Sequence, residues 1–157
     1  MHTALLKQFE LARSLTLHAL DSVGEETART IPAGFSNNIL WNAGHLLVSA
    51  EQLLAGVANE LVTLPQEYKG LFLWGTKPAD WTGEPPSLET IIRQLKEQQD
   101  WVITQYGGRL AEEMPEPFQI REAKMVTYAD LLVFLTFHEG MHLGYIKAIN
   151  RTLSAAT

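Results

Sequence analysis

The segment His138-Glu139-Gly140-Met141-His142 carries the densest chemistry in the chain. Two histidines four apart on a helix project from one face and can hold a single metal ion. The letters also spell H-E-x-x-H, in which the histidines ligate zinc and the glutamate is the general base of a protease. That reading fails on ligand count. A third histidine six residues after the second would fall at Ala148, and no glutamate follows Glu139. No His, Asp, Glu or Cys follows His142 at all. A third protein ligand must come from upstream, on a different element.

Both histidines fall in an apolar stripe of Leu131, Phe134, Leu135, His138, His142, Tyr145, Ile146 and Ile149. Burying two imidazoles one turn apart requires several hydrogen-bond partners, and two imidazolium ions would repel. A metal resolves this, because neutral imidazoles coordinate through a ring nitrogen. The alternative is a pair of core histidines bonded to backbone or to acidic side chains. Glu139 sits to one side of the stripe. An orienting carboxylate, or an ion pair with Lys147 or Arg151, is preferred to a general base. His2 at the chain start and His18, opposite the stripe of its helix, read as solvated. His45 lies on the Trp41/Val48/Gln52 side of its helix, away from the main stripe, and by pattern alone reads as exposed. Yet Trp41 and Val48 are not ordinary surface residues, and such a second side suits a pocket, a long loop or a partner subunit.

Four amphipathic segments must position these residues. The first is expected over Thr3 to Val23, with Leu5, Phe9, Ala12, Thr16, Ala19 and Val23 inward and Gly24 ending it. The second is expected over Asn37 to Ala58, capped by Ser36, with Ile39, Ala43, Leu46, Ala50, Leu53 and Val57 inward. The third runs from Leu88 to Gln105, capped by Ser87 and ended by Gly107-Gly108. The fourth runs from Tyr128 to Asn150, with Thr127 and Asp130 forming a variant capping box. No segment alternates convincingly as a strand; Phe118 to Val126 is short and charged. The pattern predicts an all-α helical bundle. The connection from Asn59 to Pro86 is long and holds Tyr68, Phe72, Trp74 and Trp81. It reads either as a cap on the core or as a wall or lid over a pocket, or as a dimer contact. The connection from Gly107 to Thr127 is also long and carries Pro115 and Pro117. Two long crossovers argue against a simple up-down-up-down order.

The whole-chain numbers narrow the function classes. At 157 residues a single domain over 1–157 is expected. The net charge is −6, and no Lys/Arg run is present, so nucleic acid is not an expected partner. No stretch reaches the ~20 apolar residues of a membrane span. The first residues, with Lys7 and Glu10, do not read as a secretory signal. The chain has no cysteine. Disulfides, thiolate ligands and a protein thiol nucleophile are thereby excluded, and the cytoplasm is the expected compartment.

Two segments together resemble the DinB-like (YfiT-like) metal-dependent superfamily. Asn38-Ile39-Leu40-Trp41-Asn42-Ala43-Gly44-His45-Leu46 is similar to its second-helix signature. His138-Glu139-Gly140-Met141-His142-Leu143-Gly144-Tyr145-Ile146 is similar to its fourth-helix signature, H-x-x-x-H-x-G-x-I. The resemblance extends over nearly the whole chain, including the long second connection. It implies a four-helix bundle of up-down-down-up topology, often dimeric, so a homodimer is expected. It implies a metal triad of one histidine from helix two and two from helix four, here His45, His138 and His142. Gly144 matches a family glycine where another backbone would pack closely. Tyr145 departs from the glutamine common at that position.

The resemblance further implies a divalent ion (zinc, nickel or iron) and chemistry on a small-molecule substrate with a low-molecular-weight thiol cosubstrate such as bacillithiol, mycothiol or glutathione. Three imidazoles leave coordination positions open for water or substrate. The expectation is transfer or addition of that thiol to an electrophile held under the aromatic loop. The alternatives are a metal-dependent hydrolase with Glu139 as proton shuttle, and a non-catalytic metal-binding stress-response module.

Overall fold

A computed structural model describes residues 2–58 and 64–155, with side chains described over 3–54 and 64–155. The expectation of a solvated His2 and the Val57 end of the second stripe fall outside the described side chains, as does the start of the 59–86 connection. Among the described residues there are six α-helices, a 3₁₀ turn over Pro78–Asp80 and a two-stranded sheet. The helices are α1 (His2–Asp21), α2 (Glu25–Arg29), α3 (Ile39–Ala58), α4 (Glu67–Phe72), α5 (Leu88–Tyr106) and α6 (Tyr128–Ser154). The strands are β1 (Glu113–Ile120) and β2 (Ala123–Thr127). None of these helices is long and apolar enough to cross a membrane.

The four long helices correspond to the four periodic segments. α1 and α3 each pack against both α5 and α6. Local signals set their ends. Ser87 Oγ accepts the Thr90 amide at the start of α5. Thr127 and Asp130 close a reciprocal capping box at the start of α6. Both satisfy amides that a helix terminus leaves free. The second segment differs from expectation: its cap is Asn38, whose Oδ1 accepts the Trp41 amide at 2.7 Å, rather than Ser36.

α3 is buried on almost every side from Ile39 to Val48. It packs against α5 and α6, and α2, α4 and β1 cover it further. A helix apolar all round belongs inside the molecule. This corrects the reading of the Trp41/Val48 side, and of His45 with it, as exposed. α4 and the 3₁₀ turn fold the long connection back over α3. Tyr68 and Phe72 are buried, with Trp81 edge-on to Phe72 at 5.7 Å between ring centroids. These three cap the core, whereas Trp74 is 90% exposed.

The described residues are mostly helical, in keeping with the all-α expectation, with one small sheet added. The connection from Gly107 to Thr127 forms an antiparallel hairpin, with Ile120 opposite Ala123 and the register shifted between Glu113 and Phe118. Met114 and Met125 are buried beneath it, and Phe118 meets Phe134 of α6 at 5.4 Å. Two features hide this hairpin in the sequence. Pro115 and Pro117 argue against a strand and lie within the irregular stretch. The turn uses Arg121 at φ 52° where glycine or asparagine is usual.

Candidate metal centre

α3 and α6 pack side by side and bring His45, His138 and His142 together. One ring nitrogen from each lies within 4.8 Å of the other two, an arrangement that could hold a metal ion. The ring centroids are 5.1 Å apart for His45–His138, 4.8 Å for His45–His142 and 4.6 Å for His138–His142. Aromatic rings flank the cluster. Trp41 stacks on His45 at 4.7 Å and 9°, and Phe134 stacks on His138 at 5.8 Å and 18°.

Hydrogen bonds fix two of the rings. His45 Nδ1 donates to the Phe72 carbonyl at 2.6 Å. A carbonyl only accepts, so this nitrogen carries the proton and Nε2 keeps the lone pair. His142 Nδ1 meets Asn42 Oδ1 at 2.8 Å, and Asn42 Nδ2 donates to the Asn38 carbonyl at 2.8 Å. That second bond orients the amide, so His142 Nδ1 is the donor and its Nε2 is likewise left free. Ser49 Oγ stands 3.4 Å from both ring nitrogens of His45.

All three imidazoles are held neutral. Burial lowers the His45 pKa against a smaller raising effect of the Phe72 carbonyl. Burial, then repulsion by His45, lowers that of His138 to about 4. Burial, then His138 and His45, lowers that of His142 to about 3. Neutral rings with free lone pairs converging at one place are what a divalent ion requires. The donor set therefore fits an ion.

Glu139 turns away from this cluster. It is 2% exposed, and both its oxygens are engaged by Arg13 of α1, from Nε at 2.9 Å and from Nη2 at 3.0 Å. Arg13 also donates to the Leu95 carbonyl and to Gln98 Oε1, and Gln98 Nε2 donates to the Leu47 carbonyl. The network ties all four long helices together. Of the two structural roles read for Glu139, an orienting carboxylate or a surface pair with Lys147 or Arg151, it fills neither: its pair is buried and lies with Arg13, and a carboxylate so committed is not free to shuttle protons. Arg13 itself gave no sequence signal, since a lone arginine beside an apolar stripe normally reads as solvated. His18 is exposed, as expected.

Above the histidines opens a cavity of about 1270 Å³. Phe134, Phe137, Met141 and Tyr145 of α6 line one wall, Leu73 and Trp74 another, and Glu116 to Phe118 of β1 a third. The long connection thus divides its roles, with Trp74 at the cavity and Tyr68, Phe72 and Trp81 in the core. Glu116 is the one formally charged side chain among the described lining residues. Tyr145, expected inward, is 57% exposed at the rim. A side chain at Gly144 would meet nothing within 4 Å, so no backbone packs closely there as expected.

No curated protein matches the chain. A family model described as the DinB superfamily matches residues 8–146, a span that contains all three histidines and both segments that position them. With the histidine cluster assembled between the second and fourth long helices, the chain belongs to the DinB superfamily.

Proposed function

We propose that the protein is a divalent-metal-dependent enzyme that transfers or adds a low-molecular-weight thiol to an electrophilic small molecule. The observation that carries this reading is the large cavity opening directly onto the three histidines. His45, His138 and His142 would hold the ion, whether zinc, nickel or iron. Three protein ligands leave room for an exogenous one, whereas closed structural sites use four. A bound divalent ion would lower the pKa of a coordinated thiol and present it as thiolate. The chain has no cysteine, so that sulfur comes from solution.

The chain's own residues do the rest. Phe134, Phe137 and Met141 offer an apolar wall for the body of the electrophile, and Trp74 faces the same cavity. In a transfer, the sulfur–carbon bond forms as the bond to the leaving group breaks, and the leaving group departs with its electron pair. In an addition, the displaced π pair takes a proton from water. The thiol proton passes to solvent in both. Hydrolysis with Glu139 as shuttle is disfavoured, because Arg13 occupies both carboxylate oxygens. Incubating the metal-loaded protein with bacillithiol or glutathione and a chromogenic electrophile tests the proposal. A conjugate that forms and is lost in His138→Ala supports it; ester turnover without thiol contradicts it.

We also read the four long helices as the up-down-down-up bundle of the family, supported by the two long connections. A homodimer is proposed through the outer face of α6, where Val133, Phe137, Met141 and Tyr145 are exposed in i, i+4 steps beside the open Gly140 and Gly144. A cytoplasmic protein acting without nucleic acid or membrane partners fits the cysteine-free, acidic chain.

A further inference from the structure

We infer that Asn42 and Gly44 are positioning residues for the histidine triad, so that one short stretch of α3 supplies a ligand and also aims two of the three rings. This rests on the metal reading proposed above. Asn42 lies three residues before His45, is 2% exposed, and spends its two amide ends on different tasks. Its Nδ2 is anchored on the Asn38 carbonyl, and its Oδ1 accepts His142 Nδ1–H across the helix interface. α3 thereby sets the tautomer and the tilt of a ring carried by α6. A partner on the far nitrogen of a metal-binding histidine fixes its orientation and raises its basicity, and its removal typically costs about 10–100-fold in metal affinity.

Gly44 acts on His45 through absence. A Cβ at this position would fall onto the Phe72 ring, 2.5 Å from its Cε1 and 2.6 Å from its Cγ. Phe72 is fully buried and is the last residue of α4, so its carbonyl has no donor within that helix. Only a residue without a side chain lets the Phe72 ring lie flat against α3 and brings that carbonyl to His45 Nδ1 at 2.6 Å. Trp41 pins the same segment: its Nε1 donates to Thr76 Oγ1, whose one hydroxyl proton has the carbonyls of Leu71 and Leu73 within reach. The two devices leave the lone pair on Nε2 in both His45 and His142.

Titration of the metal-free full-length protein with Co²⁺ tests this, reading both the dissociation constant and the visible ligand-field absorption. Asn42→Ala is expected to weaken binding about 10–100-fold and to alter the band shape. Asn42→Asp, which keeps an acceptor for Nδ1–H but loses the Nδ2 anchor on the Asn38 carbonyl, is expected to weaken binding less than Asn42→Ala. Gly44→Ala is expected to weaken binding comparably, and Gly44→Ala with Phe72→Leu to recover a large part of the loss by relieving the clash. The melting temperature of each metal-free variant separates folding from positioning. Parent-like Co²⁺ affinity in Asn42→Ala and Gly44→Ala, with only the melting temperature lowered, overturns the inference. Equal losses in Asn42→Ala and Asn42→Asp overturn the Asn42 role. A parent protein that binds no Co²⁺ overturns the triad reading itself, and this inference with it.

Discussion

At the scale of residues, the cluster depends on three imidazoles kept neutral at one place, His45 buried and His138 and His142 half-buried. Their folded pKa values lie below the unfolded value near 6.5, with His138 at about 4 and His142 at about 3. The sign of the linkage follows. Below pH 6.5 the unfolded chain takes up protons that the folded chain refuses, so the metal-free protein loses stability as pH falls from about 6.5 toward 4 and 3. Urea unfolding at a series of pH values should show this slope, and His138→Gln with His142→Gln should flatten it. His138 and His142 were legible in the sequence because they interrupt an apolar stripe, where a polar pair demands an explanation. His45 was not legible by pattern, because α3 is buried all round and no stripe tells inside from outside; family resemblance alone pointed to it. Arg13 was invisible, since nothing local distinguishes a buried guanidinium from a solvated one.

At the scale of elements, α6 must present its histidines to α3 for the cluster to assemble. The Arg13–Glu139 pair holds an adjacent side of α6 against α1, one residue along from His138, with both partners almost fully buried. Removing one partner strands a buried charge, so Glu139→Ala should destabilise the protein by about 3–5 kcal/mol. Denaturant unfolding of the metal-free variant measures that loss, and metal analysis at low temperature should still find one ion per chain. A variant that keeps its stability but loses turnover would instead make Glu139 a participant in the chemistry. Capping made the ends of α5 and α6 readable from Ser87 and from Thr127 with Asp130. The hairpin was not readable, because Pro115, Pro117 and a turn at Arg121 carry none of the usual strand and turn signals, while its support comes from Met114, Met125 and Phe118 packing on distant residues.

At the scale of the whole molecule, the cavity is open where the outer face of α6 is apolar. Phe137, Met141 and Tyr145 belong both to the cavity lining and to the exposed face. If a second copy covers that face, Phe137→Glu should convert the dimer to a monomer in light scattering coupled to gel filtration; an unchanged mass would place any interface elsewhere. The central claim is that three histidines from two helices form one metal centre. Metal titration of the purified, chelator-stripped protein tests it, compared with His45→Ala, the proposed ligand furthest in sequence from the other two. One divalent ion per chain is expected in the parent, and at least about 100-fold weaker binding in His45→Ala. Undiminished binding in that variant, or none in the parent, would contradict it.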